Sequence, residues 1–300
     1  MNVKVWGCRG SITSPGEKTL RYGGETTCVE LTSDTGRKIV IDAGSGIRKL
    51  GHELLKDKGI SSINLLLTHA HWDHLVGFPF FPPAYHSNFS INICGVPMGQ
   101  ESVLKYLAHQ LDPPYFPVVF SVLKARFNVG CPCTREFCGH RLPGNDTTMM
   151  CYSLPLNHPN GGYGFKFIGM DGIFVFLSDN EIQYRHETGL PRRSYVDFCR
   201  NADLLFHDAQ YTEAEYERKR SWGHSTFKDA VDLAMEAEVK SLGLFHHDPD
   251  RSDDEIDRLV DWCREYILKS GSPLECFACF EGMDLTVGRS ITARGRGVHS

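Results

Sequence analysis

The chain has 300 residues, of which 41% are apolar and 23% charged, and its formal net charge is −5 at pH 7. This composition is typical of an ordinary globular protein that can bury a substantial core, and it excludes disordered and fibrous classes. The negative charge argues against a protein that holds duplex nucleic acid by its overall field, but it leaves a local basic patch and small anionic substrates open.

No targeting or membrane segment is predicted. Residues 1–7 are typical of a strand rather than a signal peptide, because no long apolar segment follows a basic start. No run of about eighteen apolar residues occurs, so we predict no membrane span. Eleven cysteines without an export signal favour reduced thiols and a cytoplasmic location. Several cysteines have apolar or small neighbours and are predicted to lie in the core: Cys8, Cys28, Cys94, Cys151, Cys199 and Cys263.

The first part of the chain alternates strand-like runs with glycine-rich loops. Three such runs lie within 3–41, and the last ends in a tight turn at 42–46. Apolar residues at helical spacing predict a helix that begins near Ile47. The apolar run 63–67 then predicts a buried strand.

Directly after this strand, the sequence His-Ala-His-Trp-Asp-His at 69–74 places four metal-ligand side chains within six residues. Residues two apart in an extended segment point the same way, so His69 and His71 can present their imidazoles to one ion. Asp73 and His74, past the bend, can serve a second ion. Imidazoles with one or two carboxylates suit Zn(II), with Mn(II) or Fe(II) as alternatives. Surface loop histidines are the competing interpretation, which does not account for this density of ligands.

Between the histidine cluster and residue 146 the pattern is less regular. The aromatic and proline-rich segment 77–85 is either a wall or lid of the site or a packed loop under the core edge. A strand at 90–94 and a helix at 101–111 are predicted next. Residues from about 113 to 146 are the least regular, and we expect an insertion there within a single domain that spans 1–300.

Two further groups of cysteines have spacings found in metal or redox sites. The expected insertion contains a C-x-C-x₄-C-x-H pattern, which favours either a structural zinc site or reduced loop thiols. Its four candidate ligands are Cys131, Cys133, Cys138 and His140. Cys276 and Cys279 have redox-like spacing, but alternation along an apparent strand separates their sulfurs, so we predict that both are core residues.

In the second half of the chain, strand-like runs repeatedly end in a histidine or an aspartate. These residues are His158, Asp179, Asp208 and His246. An α/β architecture builds its site at the carboxyl ends of strands, so we expect these side chains to converge with the histidine cluster. Two helices frame the last of these strands, and Thr226 with Asp229 three residues later predicts a capping box at the start of the first helix. Strands that first come in runs and later alternate with helices predict two sheets covered by helices on the outside.

The motif at 69–74, followed in order by His158, Asp179 and His246, resembles that of the metallo-β-lactamase-fold hydrolases. The resemblance implies an αββα sandwich with two mixed β-sheets flanked by helices. It also implies two Zn(II) ions, and a hydroxide between them as the nucleophile. The implied ligands are His69, His71 and His158 for the first ion and Asp73, His74 and His246 for the second, with Asp179 bridging both. His247 is an alternative ligand, but the family pattern favours His246.

Two later motifs resemble one branch of this family. Phe-His-Asp-Ala-Gln at 206–210 and Trp-Gly-His-Ser-Thr at 222–226 are similar to the paired motifs of tRNase Z-like and PhnP-like phosphodiesterases. The resemblance implies that His224 is the general acid for the leaving alkoxide and that Asp208 is its partner. A positioned imidazolium contributes about 10²–10⁴ in rate. The competing interpretation of His224 is a capping role at the start of a helix.

The substrate class is predicted from what the chain lacks. We find no glycine-rich or basic insert that matches the tRNA-binding arm of tRNase Z, so we expect no stable nucleic-acid partner. A small phosphodiester is the expected substrate, either a cyclic nucleotide or a cyclic sugar phosphate. The alternatives are a β-lactam or thioester hydrolase of the same fold and a non-catalytic metal-carrying nucleotide sensor. A homodimer is left open, since relatives often dimerise.

Overall fold

The computed structural model describes residues 1–94, 103–129, 148–288 and 292–293. The described strands are β1 (Asn2–Gly7), β2 (Cys28–Thr32), β3 (Lys38–Ile41), β4 (Ser62–Leu66), β5 (Ser90–Cys94), β6 (Arg126–Val129), β7 (Met150–Pro155), β8 (Tyr163–Ile168), β9 (Ile173–Leu177), β10 (Leu204–Asp208), β11 (Ser241–Phe245), β12 (Glu275–Ala278), β13 (Asp284–Thr286) and β14 (Thr292–Ala293). The described helices are α1 (Ile47–Lys56), α2 (Val103–His109), α3 (Arg192–Cys199), α4 (Glu213–Lys219), α5 (Phe227–Glu236) and α6 (Asp253–Lys269).

These strands form two mixed β-sheets. The first has the order β14-β13-β1-β2-β3-β4-β5-β6, antiparallel from β14 to β3 and parallel from β3 to β6. The second has the order β12-β11-β10-β9-β8-β7, in which β9 to β12 are parallel and β7 to β9 antiparallel. Parallel neighbours place their carboxyl ends at the same edge, and both sheets have such a parallel half.

The side chains of each strand alternate between two apolar layers. Ile39 and Ile41 of β3 pack with Phe174 and Phe176 of β9 in an inner layer shared by both sheets. Val40, between the first two, belongs instead to an outer layer. This period of two is what a strand buried on both faces requires. The prediction of an αββα sandwich is therefore confirmed.

Helices cover the outer face of each sheet. The outer layer of the first sheet includes Leu50 and Leu54 of α1 and Leu107 of α2. The outer layer of the second sheet includes apolar residues of α3, α5 and α6. Helix α5 begins with the predicted capping box, in which Thr226 and Asp229 exchange hydrogen bonds between side chain and backbone.

The middle of the chain contains short elements that the sequence pattern does not indicate. Within the segment expected to be irregular, Arg126–Val129 forms strand β6 and pairs in parallel with β5. Most side chains of β6 are exposed, so no alternation of apolar residues marks it. The aromatic segment 77–85 forms two 3₁₀ turns, in which Phe78 and Phe81 are buried in the core while Phe80 is exposed.

The cysteine predictions are confirmed for the described residues. Buried free thiols are found at Cys8, Cys28, Cys151, Cys199, Cys263, Cys276 and Cys279. The sulfurs of Cys276 and Cys279 lie in different layers, the outer and the inner. The side chain of Cys94 and the whole pattern Cys131, Cys133, Cys138 and His140 lie outside the described residues.

Among the helices that the structure describes, none combines the length and the apolar character needed to cross a membrane.

Candidate metal centre

The residues predicted to bind metal lie together at the carboxyl ends of strands from both sheets. They form two groups whose potential ligand atoms lie within 4.8 Å of one another in each group. The first group is His69, His71 and His158, and the second is Asp73, His74, Asp179 and His246. The first sheet supplies the residues after β4, and the second sheet supplies those after β7, β9 and β11.

Three residues at these strand ends have left-handed backbone conformations. The φ angles are 63° at Asp42, 59° at Asp179 and 59° at His246. Non-glycine residues rarely adopt a positive φ, and such strain concentrates at functional sites. Here the left-handed residue turns the chain at the point where a parallel strand ends.

Two imidazoles of the first group, those of His69 and His158, are each held through one ring nitrogen. Thr68 Oγ1 donates to Asp42 Oδ2 at 2.8 Å and lies 2.9 Å from His69 Nδ1, so it accepts from that ring nitrogen. His158 Nδ1 donates to the carbonyl oxygen of Gly223 at 2.9 Å. These bonds place the proton on Nδ1 and leave Nε2 as a lone-pair donor. His158 Nε2 lies 3.0 Å from His71 Nδ1.

The imidazoles of the second group are held in the same way. His74 Nδ1 donates to Asp42 Oδ2 at 2.7 Å, and His246 Nδ1 donates to Gln210 Oε1 at 3.0 Å. Their Nε2 atoms face carboxylates, at 3.3 Å from His74 to Asp73 and 3.1 Å from His246 to Asp73. A ligating histidine normally has its second ring nitrogen held by a carboxylate or carbonyl oxygen in this way.

The donor set fits a divalent cation. His69 Nε2 and His74 Nε2 are buried, and neither forms a hydrogen bond of good geometry with a described residue, although carboxylate oxygens of Asp73 and Asp179 lie 3.3 Å from His74 Nε2. An unsatisfied buried polar atom costs about 1–3 kcal/mol, so a group that accepts these lone pairs is expected in the functional protein. Neutral imidazoles with two buried carboxylates are the ligands that zinc and similar ions prefer.

The protonation states of the site agree with this fit. Burial lowers the pKa of His69 well below its ordinary range and lowers the pKa of His158 to about 3, so both rings are neutral. Burial alone raises the pKa of Asp179, but the facing imidazoles of His246 and His74 outweigh it and hold that pKa well below the usual range. Burial alone lowers the pKa of His74 and of His246, but the facing carboxylates of Asp73 and Asp179 outweigh it and raise both pKa values. Without metal these two rings hold protons, which a bound cation would replace.

Asp208 lies beside the two groups, whereas His224 also forms a third group of potential ligand atoms with His158 and Asp179. His224 Nδ1 is 3.2 Å from Asp208 Oδ2, and the ring stacks on His246 with centroids 4.8 Å apart. Asp208 Oδ2 also accepts from the backbone nitrogen of Ser225 at 3.1 Å. His224 directly precedes the capping residues of α5, so its position is set by the start of that helix.

His247 lies outside the metal cluster, although it follows His246 directly. Its Nε2 donates to the carbonyl oxygen of Cys279 at 2.8 Å, and its ring packs edge-on against Tyr22. The alternative that His247 is the ligand has no support in this geometry.

Several residues of the site were not identified from the sequence. Asp42 and Gln210 orient imidazoles, and the backbone nitrogen of Ser11 donates to Asp73 Oδ2 at 2.9 Å. Gly10 allows the N-terminal loop to pass close to His246, since a Cβ atom there would lie 2.4 Å from His246 Nδ1. The sequence signals for these residues were the glycine-rich loops, the tight turn at 42–46 and, for Gln210, the motif at 206–210. Turn chemistry alone does not distinguish support of a site from chain reversal.

Comparison with known proteins shows where this arrangement occurs. Residues 37–247 match the model of the Beta-lactamase superfamily domain, which is more than half of the chain. Ribonuclease Z of Porphyromonas gingivalis is 25% identical over 294 aligned residues, covering 82% of this chain and 88% of that protein.

Two solved structures have the same fold. Human tRNase Z, short form, superposes with a TM-score of 0.63 at 20% identity, covering 96% of this chain and 99% of that chain. A diphosphatase from the PhnP family superposes with a TM-score of 0.64 at 16% identity, covering 97% and 99%. At such identities these two structures show the fold alone. With its family model, fold and cluster of histidines and aspartates, the chain belongs to the beta-lactamase superfamily and is a metal-dependent hydrolase of the metallo-β-lactamase fold.

Proposed function

We propose that the chain is a phosphodiesterase that hydrolyses a small phosphodiester, either a cyclic nucleotide or a cyclic sugar phosphate. The observation that carries this proposal is the pair of His224 and Asp208, held 3.2 Å apart beside the metal cluster. Hydrolysis of a phosphodiester expels an alkoxide of high pKa, and a proton donor next to the metals meets that need.

In this proposal the seven predicted ligands hold two ions. His69, His71 and His158 would hold one, and Asp73, His74 and His246 the other. Two zinc ions would polarise the phosphoryl group and activate the attacking water; Mn(II) or Fe(II) could replace them. The two oxygens of Asp179 support its role as the shared ligand. Oδ2 lies 3.7 Å from His69 Nε2 and 3.8 Å from His158 Nε2, whereas Oδ1 lies 3.3 Å from His74 Nε2 and 3.4 Å from His246 Nε2.

Asp208 and His224 together would deliver the proton to the leaving oxygen. Burial raises the pKa of Asp208 to about 7 and lowers the pKa of His224 to about 4. Up to about neutral pH the pair therefore holds a proton between Oδ2 and Nδ1, and the ring carries another on Nε2. An approaching phosphate anion raises the pKa of the ring from this low value, because it stabilises the imidazolium. Donation from Nε2 to the leaving oxygen is then matched by proton movement from Oδ2 to Nδ1.

Substitution of His224 tests the proposal. We expect His224→Ala to retain its metal content and to lose about 10²–10⁴ of its turnover of bis-p-nitrophenyl phosphate. His52→Ala, at an exposed position on α1, is the matched control and should behave as wild type. Near wild-type turnover in His224→Ala would refute its role as the acid. Replacement of Asp179 by Ala should instead deplete the bound metal, which elemental analysis measures, and full occupancy would refute the bridging role.

The relatives favour a second candidate, an RNA phosphodiester as substrate. The matched protein of Porphyromonas gingivalis is named ribonuclease Z. The net charge of −5 does not favour a long polyanion, because binding of such a chain gains most of its affinity from cationic contacts. A panel of cyclic mononucleotides, cyclic dinucleotides, cyclic sugar phosphates and tRNA precursors, tested on the zinc-loaded and the manganese-loaded protein, decides between the candidates.

Adding a β-lactam and a thioester to this panel tests the remaining alternatives. A β-lactam or thioester hydrolase predicts turnover of nitrocefin or a thioester that survives the loss of His224. A non-catalytic nucleotide sensor predicts tight binding of a cyclic nucleotide by the metal-loaded protein without hydrolysis.

A further inference from the structure

Glu181 is a fully buried carboxylate that the proposed reaction does not use. It lies two residues after Asp179 and accepts four hydrogen bonds. Oε1 accepts from Tyr216 Oη at 2.6 Å and from the backbone nitrogen of Ser221 at 2.8 Å. Oε2 accepts from His186 Nε2 and from the backbone nitrogen of Gly223, both at 2.8 Å. Such complete pairing is what a buried carboxylate requires.

Two of these four bonds fix the turn at 221–223. Both Ser221, with φ of 70°, and Gly223, with φ of 95°, are left-handed, so the turn depends on contacts that hold it in place. The turn leads directly into His224. One buried side chain thus holds the segment that precedes the proposed acid.

The same turn packs closely against the imidazole of His158. The carbonyl oxygen of Gly223 accepts from His158 Nδ1 at 2.9 Å. A Cβ atom on Gly223 would lie 1.9 Å from that nitrogen, so the backbone approaches the ring as closely as a glycine allows. Loss of this carbonyl would remove the acceptor that keeps the ring proton on Nδ1 and the lone pair on Nε2.

We propose that Glu181 is a positioning residue for the metal centre, which sets the tautomer and orientation of His158 through the turn at 221–223. The inference rests on the proposed assignment of His158 as a metal ligand. Glu181 touches neither substrate nor metal; it acts through the Gly223 carbonyl. Groups that orient a ligating histidine typically contribute about 10–100-fold to metal affinity.

Glu181→Gln separates this role from simple space filling. Each carboxylate oxygen accepts from one backbone N–H, Ser221 for Oε1 and Gly223 for Oε2. Whichever oxygen the amide NH₂ replaces, one backbone N–H then faces another donor. The backbone bond from Glu181 to the carbonyl oxygen of Asn157, 2.9 Å long, does not involve the side chain and remains. The variant therefore disturbs the turn while it preserves volume.

The experiment uses the full chain in two measurements. In the metal-free protein, ¹H–¹⁵N spectra of the imidazole nitrogens, assigned with His158→Gln, report the tautomer of His158. We expect the Nδ1–H form in wild type and its loss in Glu181→Gln. Competition with a chromophoric chelator should show zinc affinity lower by about 10–100-fold in the variant. A folded variant with wild-type tautomer and wild-type zinc affinity would overturn the proposal.

Glu255→Gln is the matched control, because Glu255 is the capping-box carboxylate of α6 and contacts Ser252 rather than the turn. Loss of the same His158 signal in this control would also overturn the proposal, since the signal would then report general destabilisation. If Glu181→Gln does not fold, Tyr216→Phe removes one of the four donors. It should lower zinc affinity by a smaller factor, and no change would count against the role.

Neither measurement involves turnover. Absence of phosphodiesterase activity in wild type would therefore refute the proposed function and leave this inference standing. Normal turnover combined with an unaltered His158 tautomer in Glu181→Gln would refute the inference alone.

Discussion

Asp42 orients the imidazole of His74 through a direct hydrogen bond, whereas the proposed role of Glu181 is to orient His158 through the Gly223 carbonyl. Its carboxylate accepts from His74 Nδ1 at 2.7 Å, from the Thr68 backbone nitrogen at 2.7 Å and from Thr68 Oγ1 at 2.8 Å. It is completely buried, and it lies at the end of β3, one strand away from the histidine motif that follows β4. The imidazoles that would bind metal are thus held by hydrogen bonds to side chains that would not contact the metal themselves. These supporting side chains come from neighbouring strands.

Two exposed tryptophans flank the candidate site. Trp72 is 66% exposed and directly follows His71, whereas Trp222 is 60% exposed and precedes Gly223. His71 and Gly223 both contact His158, so each tryptophan adjoins a residue that contacts the candidate site. Large exposed aromatic side chains on fixed turns beside a site are suited to stack on a planar ring.

Replacement of Trp222 tests whether the substrate carries a nucleobase. Stacking of a base is worth about 1–3 kcal/mol, so Trp222→Ala should raise KM for a cyclic nucleotide about tenfold or more. The KM for a cyclic sugar phosphate without a base should stay unchanged. Trp262→Ala on α6, where the indole is 42% exposed and stacks on Tyr266, is the control. Equal effects on both substrates would contradict stacking.

At the scale of elements, the capping boxes of α5 and α6 allow stability and function to be separated. Thr226→Ala and Ser252→Ala each remove a capping hydroxyl, so each should lower the free energy of unfolding by about 1 kcal/mol. Urea unfolding measures this loss. Only Thr226→Ala should also reduce turnover, because Thr226, the capping residue of α5, lies two residues after His224. Equal turnover in the two variants would mean that the start of α5 does not position the ring.

The cap of α4 should make stability depend on pH. Burial raises the pKa of Glu215, but hydrogen bonds from Arg251 and Thr212 outweigh it and lower that pKa to about 2. As pH falls, the unfolded chain therefore binds a proton on Glu215 at about pH 4, before the folded protein does. The stabilisation that Glu215 contributes is fully present above about pH 4 and is lost as pH falls through about 2. The side chain is 36% exposed, and solvent screening limits the contribution to about 1 kcal/mol. Glu215→Gln should flatten the unfolding free energy over this pH range; an unchanged profile would contradict the assignment.

At the scale of the whole molecule, the candidate metal centre joins the two sheets. The motif at 69–74 belongs to the first sheet, whereas His158, Asp179 and His246 follow strands of the second. Removal of metal by a chelator should therefore lower Tm, because ions that bind only the folded state stabilise it by about 4 kcal/mol at a thousandfold excess over Kd. Zinc should restore Tm in wild type, but not in Asp179→Ala. A Tm that is independent of chelator would contradict a metal that links the sheets.

Local patterns in the sequence were sufficient to predict two sheets covered by helices, to identify the motif at 69–74 and to predict the capping box of α5. Each of these depends on residues close together in the chain, where spacing alone sets which side chains share a face. Strand β6 was not predicted, because Arg126–Val129 is recognised only by its pairing with β5. The convergence of His158, Asp179 and His246 was expected from their positions at strand ends, and their assignment to individual ions came from a family resemblance. Alternation and helical period alone do not bring together residues so distant in the chain.

The sequence by itself determined the types of ligand available, the strands that end in them and the class of hydrolase. Only the tertiary structure decided which ring nitrogen of His74, His246 and His158 faces the site, because Asp42, Gln210 and the carbonyl of Gly223, all far along the chain, accept the other ring proton. It also brings His246 rather than His247 into the cluster of potential ligands, since these adjacent side chains point in different directions. A hydrogen-bond partner more than thirty residues away leaves no periodic trace in the sequence, which is why Glu181 becomes visible only in the fold.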